Sequence, residues 1–325
     1  KGERSLKNYI IQLNMKTRIR FVNHASVVLE CDGINILTDP WFNGSVFDNG
    51  WKLIYENSKN DIKDIINNVQ YIYISHEHPD HFSPNFFLDY EFKNILLNKK
   101  VKILFQETLD KRIVNFFKKN GLETIEIKAS KALKINKNLE INIVKFGYID
   151  SALIVKSFNH KILNLNDSPL NKDSEIYKFK KKYGTFDTLL TQFSYAAWKG
   201  GKNNYNFRKQ AALEKLETIK KQSNILECSS VIPFASFIYF SNEMNKYMND
   251  NINNPEDVYK KMISEKNIVF LSPGETQPFN DLKQKKESLD FWGKEFSSIN
   301  EKKFERYNTT ISYNELEKLY NKYKK

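Results

Sequence analysis

Cysteine is nearly absent from this sequence: Cys31 and Cys228 are the only two in 325 residues. So few, so far apart, exclude a disulfide framework and a cysteine-based zinc ribbon, and they make a reducing cytoplasm the default compartment. Each reads as a small buried hydrophobe. Long apolar runs are missing too. "VIPFASFIYF" is interrupted and far shorter than the roughly 20 residues a transmembrane helix needs, so no membrane span is expected. The opening "KGERSLKNYI" has no initiator methionine and no charged-then-apolar leader, which fits a trimmed chain better than a secreted precursor. A concentrated arginine stripe interleaved with aromatics is also lacking. The net charge is +12, but the lysines are scattered among Asn and Ile. That excess favours an anionic partner weakly and argues against nucleic acid.

What is present is a core-forming composition, 40% hydrophobic and 14% aromatic, long enough for one large or two small domains. β-branched runs dominate the first third: "TRIRFV", "SVVLE", "INILTD" and "YIYIS", with Asp32-Gly33 as a turn between two of them. From Pro84 onward helical stretches alternate with strands, as in "TLDKRIVNFFKKN" closed by Gly121. A second strand set follows in "LEINIVKF", "SALIVKSF", "KILNLN" and "FDTLLTQ", then a long helix at "FRKQAALEKLETIKKQ". Two similar halves of mixed strands and helices predict an α/β fold, a four-layer αββα sandwich. The expected organisation is a lead-in over 1–14, one domain over 15–274, and a helical C-terminal extension over 275–325.

Histidine is scarce, yet in "YIYISHEHPDHFS" (Tyr71 to Ser83) three of the chain's five histidines and an aspartate fall within six positions: His76, His78, Asp80 and His81. At a strand end, residues two apart point the same way, so His76 and His78 face one side while Asp80 and His81 occupy the following turn. Imidazoles and carboxylates suit zinc, iron or manganese, and each pair can serve one metal of a binuclear centre. A polar surface loop with coincidental histidines is the competing reading; the strand-end spacing counts against it.

This His-x-His-x-Asp-His pattern resembles the signature of the metallo-β-lactamase superfamily, whose fold is the αββα sandwich. The segments "NHASVVLECDGINILTDPWFNGSVFDNGW", "YISHEHPDHFSP", "DSALIVKSFNHKILNLND", "LLTQFSYAAWKGG" and "VIPFASFIYFSNEMNKYMNDNINNPEDVYKKM" narrow the likeness. They are similar, in the same order, to the cytidine monophosphate N-acetylneuraminate hydroxylase family and its bacterial nucleotide-sugar hydroxylase relatives, over about Met15 to Gly274. The resemblance implies that His76, His78, Asp80 and His81 are metal ligands. It places Asp150, opening "DSALIV", and Asp167, in "NLND", where the superfamily has a further ligand and a metal-bridging carboxylate. By themselves both aspartates read as turn formers. Asp80 and Asp167 are the implied catalytic carboxylates.

The same resemblance makes His24 a pocket residue, with a structural histidine as the alternative, and Asp39, in "TDPWFNG", an acceptor that orients a ligand histidine. A strand-ending turn is the simpler account of Asp39. His160, in the hairpin turn "SFNHKI", is left out. Two departures from the family stand out. Its histidine shortly before the position of Asp150 is missing from "KFGYID", and another is replaced at Asn242, where Asn242 or Glu243 could offer an oxygen. Carboxylate-rich ligation tilts the site toward iron, one or two ions, with zinc and manganese as alternatives. The family's Rieske module, held by two Cys and two His, has no counterpart here, since two separated cysteines bind no such cluster.

Upstream of the long helix, "WKGGKNNYNFRK" sets two glycines beside Lys199, Lys202, Arg208 and Lys209. It is no P-loop, but a basic loop before a helix suits a phosphate or carboxylate, so Lys199 and Lys202 are the candidate substrate contacts. The expected function is an iron oxygenase hydroxylating an anionic small molecule such as a nucleotide sugar, with electrons from a separate protein. The alternative is a hydrolase of a phosphoester, amide or lactone, using metal-bound hydroxide.

Overall fold

The computed structural model describes residues 17–129, 131–306 and 311–324; the lead-in expected over 1–14 lies outside them. Two seven-stranded sheets are built to the same plan. In the first, β1 (Arg18–Asn23), β2 (Ser26–Cys31) and β3 (Ile34–Thr38) form an antiparallel meander. Asp32 and Gly33 make its second turn with φ of 51° and 77°, the left-handed pair that a two-residue hairpin between twisted strands requires. Two short strands, β4 (Ser45–Val46) and β5 (Trp51–Leu53), leave for a small separate sheet. The first sheet then continues in parallel through β6 (Tyr71–Tyr73), β7 (Lys102–Gln106) and β8 (Thr124–Ile127). Its crossovers carry the helices Lys59–Asn68, Tyr90–Asn98 and Arg112–Lys119.

The second sheet repeats this with β9 (Leu133–Lys134), β10 (Leu139–Phe146), β11 (Asp150–Ser157) and β12 (His160–Asn164) antiparallel. Next come β13 (Thr188–Gln192), β14 (Ser230–Phe234) and, at the edge, β16 (Asn267–Ile268) in parallel. β15 (Ile238–Phe240) joins β5 in the small sheet.

The period-two alternation of the strands decides which layer each side chain enters. From the first sheet, Val27, Leu29, Ile36 and Leu104 pack with Ile141, Ile143 and Val155 of the second. Val28, Leu37, Ile103 and Phe105 point the other way, onto Ile62, Ile66, Leu96 and Phe117 of the outer helices. Helices Asp173–Tyr183, Tyr205–Ile225 and Pro255–Met262 bring Ile176, Phe179, Leu216, Ile219, Val258 and Met262 to the main core. Helices therefore lie outside two facing sheets, the αββα arrangement. Cys31 and Cys228 are buried and free. No helix among the described residues is long and apolar enough to cross a membrane.

The segment expected as an extension after 274 begins inside this architecture. β17 (Thr276–Pro278) pairs with β1, Ile19 opposite Gln277, and covers that sheet edge. In helix Lys286–Ser297, Trp292 is fully buried, stacks on Phe237 at 4.1 Å, meets Phe21 edge-on at 6.0 Å and donates Nε1–H to the Leu271 carbonyl at 2.8 Å. Among the described residues after 274, the helix Tyr313–Tyr323 buries no residue and has the character of an appendage. The aromatic contacts are long-range, so the polar text around Trp292 did not reveal them.

Candidate metal centre

Parallel strands of an α/β fold release their chains at the C-terminal edge, where loops converge. After β6, Ile74 N–H still donates to the Leu104 carbonyl. The chain then turns tightly, with His81 N–H and Phe82 N–H both donating to the His78 carbonyl. This turn brings the His76 and His81 rings to 4.2 Å and the His76 and His78 rings to 4.7 Å. His76 Nε2 and His78 Nδ1 lie 3.0 Å apart. From the opposite sheet, Asp167 follows β12 and sets Oδ1 3.3 Å from His81 Nε2, while Asp150, at the start of β11, sets Oδ1 3.9 Å from His76 Nε2. Asp80 Oδ2 is 3.4 Å from His81 Nε2.

His24, in the β1–β2 turn, sets Nε2 3.6 Å from Asp80 Oδ2. Its ring stands edge-on to both Trp41 and His81. Two sets can therefore each converge on one ion: His24, Asp80 and His81, and His76, His81 and Asp167. Both nitrogens of His24, Oδ1 of Asp80 and Nε2 of His81 are buried without a hydrogen-bond partner. Orphaned buried polar atoms are rare and costly. A cation accepting one lone pair each from His24, Asp80 and His81 satisfies one ring nitrogen of each histidine together with the carboxylate, so the residues fit a metal.

A buried carboxylate braces this cluster from behind. Asp39 Oδ1 accepts from Ser75 N–H at 2.7 Å, and its Oδ2 accepts from Ser75 Oγ at 2.8 Å and faces His81 Nδ1 at 2.9 Å. That contact leaves Nε2 of His81 for the Asp80 and Asp167 side. Burial pushes the Asp39 carboxyl up, and His81 opposes the shift. Burial alone would hold His81 neutral, but Asp80, Asp167 and Asp39 raise its pKa well above the ordinary value. Burial likewise opposes ionisation of Asp80 and Asp167, yet His81 holds both below the usual carboxylate range. Desolvation, then the neighbouring His81, lowers His76 to about 3; its neutral imidazole keeps a lone pair to donate. Desolvation and then Asp167 raise Asp150.

A cleft of about 340 Å³ opens over the cluster, lined among others by Phe47, Trp51, His78, Asp167, Lys199 and Lys215. Lys199 thus reaches the cleft. Lys202 is exposed, and its carbonyl accepts from Arg208. Asn242 and Glu243 have partners of their own: the Asn242 Oδ1 accepts from Met244 N–H, and Glu243 pairs with Lys246 at 2.7 Å and Arg306 at 3.6 Å. Sequence reasoning missed Lys215 and Gln192. Lys215 donates to Gln192 Oε1 at 2.5 Å, and Gln192 donates to Asp167 Oδ1 at 2.7 Å. Nothing in "ALEKLETIKKQ" separates Lys215 from lysines on a solvated helix face.

Residues 18–144 match the β-lactamase superfamily domain. A protein named as a Rieske 2Fe-2S iron-sulfur protein from Mycolicibacterium smegmatis is 29% identical over 191 residues, 56% of this chain and 35% of that protein. Cytidine monophosphate-N-acetylneuraminic acid hydroxylase of Danio rerio is 24% identical over 253 residues, 71% of this chain and 40% of the hydroxylase. The chain thus spans well under half the length of these relatives. Among solved structures, CmlA, a diiron β-hydroxylase from Streptomyces venezuelae, superposes with a TM-score of 0.52 at 14% identity, covering 81% of this chain and 54% of that one. A metallo hydrolase from the archaeon Ignicoccus hospitalis gives 0.54 at 15%, covering 81% and 97%. One fold therefore serves proteins named for oxidative and for hydrolytic chemistry. Over residues 18–144 the chain matches the β-lactamase superfamily domain, it shares the metallo-β-lactamase fold with proteins named as a hydroxylase and as a hydrolase, and its sequence likeness runs to the cytidine monophosphate-N-acetylneuraminic acid hydroxylases.

Proposed function

We propose that this chain is a metal-dependent oxygenase that hydroxylates an anionic small molecule, such as a nucleotide sugar, in the cytoplasm, taking electrons from a separate protein. The observation that carries this reading is the buried Nε2 of His81, without a hydrogen-bond partner and 3.4 and 3.3 Å from carboxylate oxygens of Asp80 and Asp167. His76, His78, Asp80, His81, Asp150 and Asp167 would hold the metal, one ion or two. Three carboxylates beside three imidazoles make a mixed oxygen and nitrogen set, which suits iron. Iron, when bound, supplies the O₂ chemistry that protein side chains lack.

The chain's own residues do the rest. Asp39 and Ser75 orient the histidines, Gln192 holds Asp167, and Phe47 and Trp51 wall the cleft over His78. The likeness to hydroxylases and to a protein named for a Rieske cluster supports a redox partner.

Hydrolysis of a phosphoester, amide or lactone is the second reading. Asp80 and Asp167, both held as carboxylates, can accept a proton from water, and a metallo hydrolase shares the fold. Elemental analysis separates the two, on protein expressed with iron, zinc and manganese supplied and purified without chelators. Iron near one or two equivalents, with O₂ uptake that depends on an added reductant, supports the oxygenase. Zinc with turnover of phosphoester or amide substrates and no O₂ uptake overturns it in favour of hydrolysis.

A further inference from the structure

The sequence segment "WKGGKNNYNFRK" is organised by its arginine. Arg208 is fully buried, pairs with Asp250 through Nε and Nη2 at 2.8 and 2.6 Å, and donates to the Gly201 and Lys202 carbonyls at 2.7 and 3.1 Å. Gly200 adopts φ +79°, and a Cβ there would meet Asn204 Cβ at 2.6 Å, so the loop closes tightly only with glycine. Tyr247 Oη donates to the Gly200 carbonyl at 3.1 Å. A guanidinium that is fully committed to a carboxylate and two carbonyls is a strut. It fixes the loop that presents Lys199 to the cleft.

Lys215 reaches the same cleft from helix Tyr205–Ile225. Both lysines are partly buried, and among the described residues neither has an acidic partner within ion-pair distance. The acids that do line the cleft, Asp80 and Asp167, face His81 instead. Lys215 satisfies one donor on the neutral amide of Gln192, leaving two of an ammonium's three N–H groups unassigned. Burial disfavours its charge, the nearby Asp167 favours it, and the neighbouring Lys199 again opposes it. Two cations facing one half-desolvated space repel each other unless an anion sits between them.

We propose that Lys199 and Lys215 form an anion subsite beside the metal centre, which takes a phosphoryl or carboxylate group of the substrate. The subsite rests on the reading that this cleft receives the substrate, and it narrows the substrate class. The molecule carries its anionic group on the Lys215 side of Asp167, in a cleft that Phe47 and Trp51 also line. The Lys215–Gln192–Asp167 chain ties the two regions, so an anion on Lys215 and an ion on Asp167 share one rigid support.

Calorimetric titration of the purified protein with inorganic phosphate, and in parallel with acetate, tests this. Lys215→Met and Lys199→Met are each expected to weaken phosphate binding by about tenfold or more, the loss of one charge-assisted contact. The double variant is expected to abolish it, while Lys102→Met, whose lysine pairs with Glu123 on the surface, changes nothing. Tighter binding of phosphate than acetate assigns a phosphoryl group, and the reverse assigns a carboxylate. Equal affinity in wild type and double variant, as an anion bound by the metal alone would give, overturns the subsite. So does failure of the wild type to bind either anion. Metal analysis on the same samples keeps the readings apart, because zinc in place of iron sinks the oxygenase and leaves lysine-dependent anion binding intact.

Discussion

Asp39 Oδ2 lies 2.9 Å from Nδ1 of His81, and both residues are fully buried. Asp39 holds a left-handed backbone conformation, φ 37°, which aims its carboxylate back under the histidine turn. The contact fixes the ring and directs Nε2 toward Asp80 and Asp167. Asn tolerates this backbone region, so Asp39→Asn keeps the shape while losing the charge that supports the imidazole. Metal affinity should fall by about 10- to 100-fold, read by competition with a chelator, with an unchanged circular dichroism spectrum. Unchanged affinity would remove Asp39 from the support of the site.

His76→Ala and His78→Ala should each lower metal content per chain, and the double variant should retain little. His160→Ala is the control. That histidine contacts Thr188 Oγ1 at 3.0 Å and lies against Phe279 at 5.3 Å, remote from the cluster. Full metal loading in the double variant would sink the assigned ligands.

Trp292→Ala should destabilise the protein by about 3–5 kcal/mol, the range for deleting a buried aromatic. The ring fills the space between Phe21 and Phe237, and its N–H satisfies the Leu271 carbonyl. Urea denaturation measures the loss. A change below about 1 kcal/mol would show that the segment after 274 is dispensable to the core.

Burial pushes the thiols of Cys31 and Cys228 from the ordinary 9.0 up to about 12. Below pH 9 folded and unfolded chains both keep these protons, so the thiols leave stability unchanged. Between pH 9 and about 12 the unfolded chain releases them while the folded chain does not, and stability is lost as pH rises through that window. Replacing both by Ala should flatten the alkaline slope of denaturation free energy against pH. At pH 8 neither thiol should react with iodoacetamide until the chain unfolds; rapid labelling of the native protein would contradict the burial.

Local signals carried the sandwich. Alternating runs such as "YIYIS", the Asp32-Gly33 turn and the glycine-capped helices are decided by neighbours in sequence, through side-chain period and backbone sterics, and they are readable in order. His76, His78, Asp80 and His81 stood out for the same reason, since a single turn holds them. Asp150 and Asp167 could be named only through likeness to a family, because β11 and β12 reach the histidines from the other sheet. No spacing along the chain encodes that distance.

What only the tertiary structure decided is how distant segments share a space. It placed His24 beside Asp80, moved Lys215 from an ordinary helix face into the cleft, and made Arg208 a strut where the sequence offered a basic loop. It paired Glu243 with Lys246 and Arg306 and drew residues after 274 into the core through β17 and Trp292. The sequence by itself determined the strands, the turns and one tight cluster of candidate ligands. Charge pairing and burial among residues far apart in the chain depend on which sheet faces which, and that is settled only when the two halves pack.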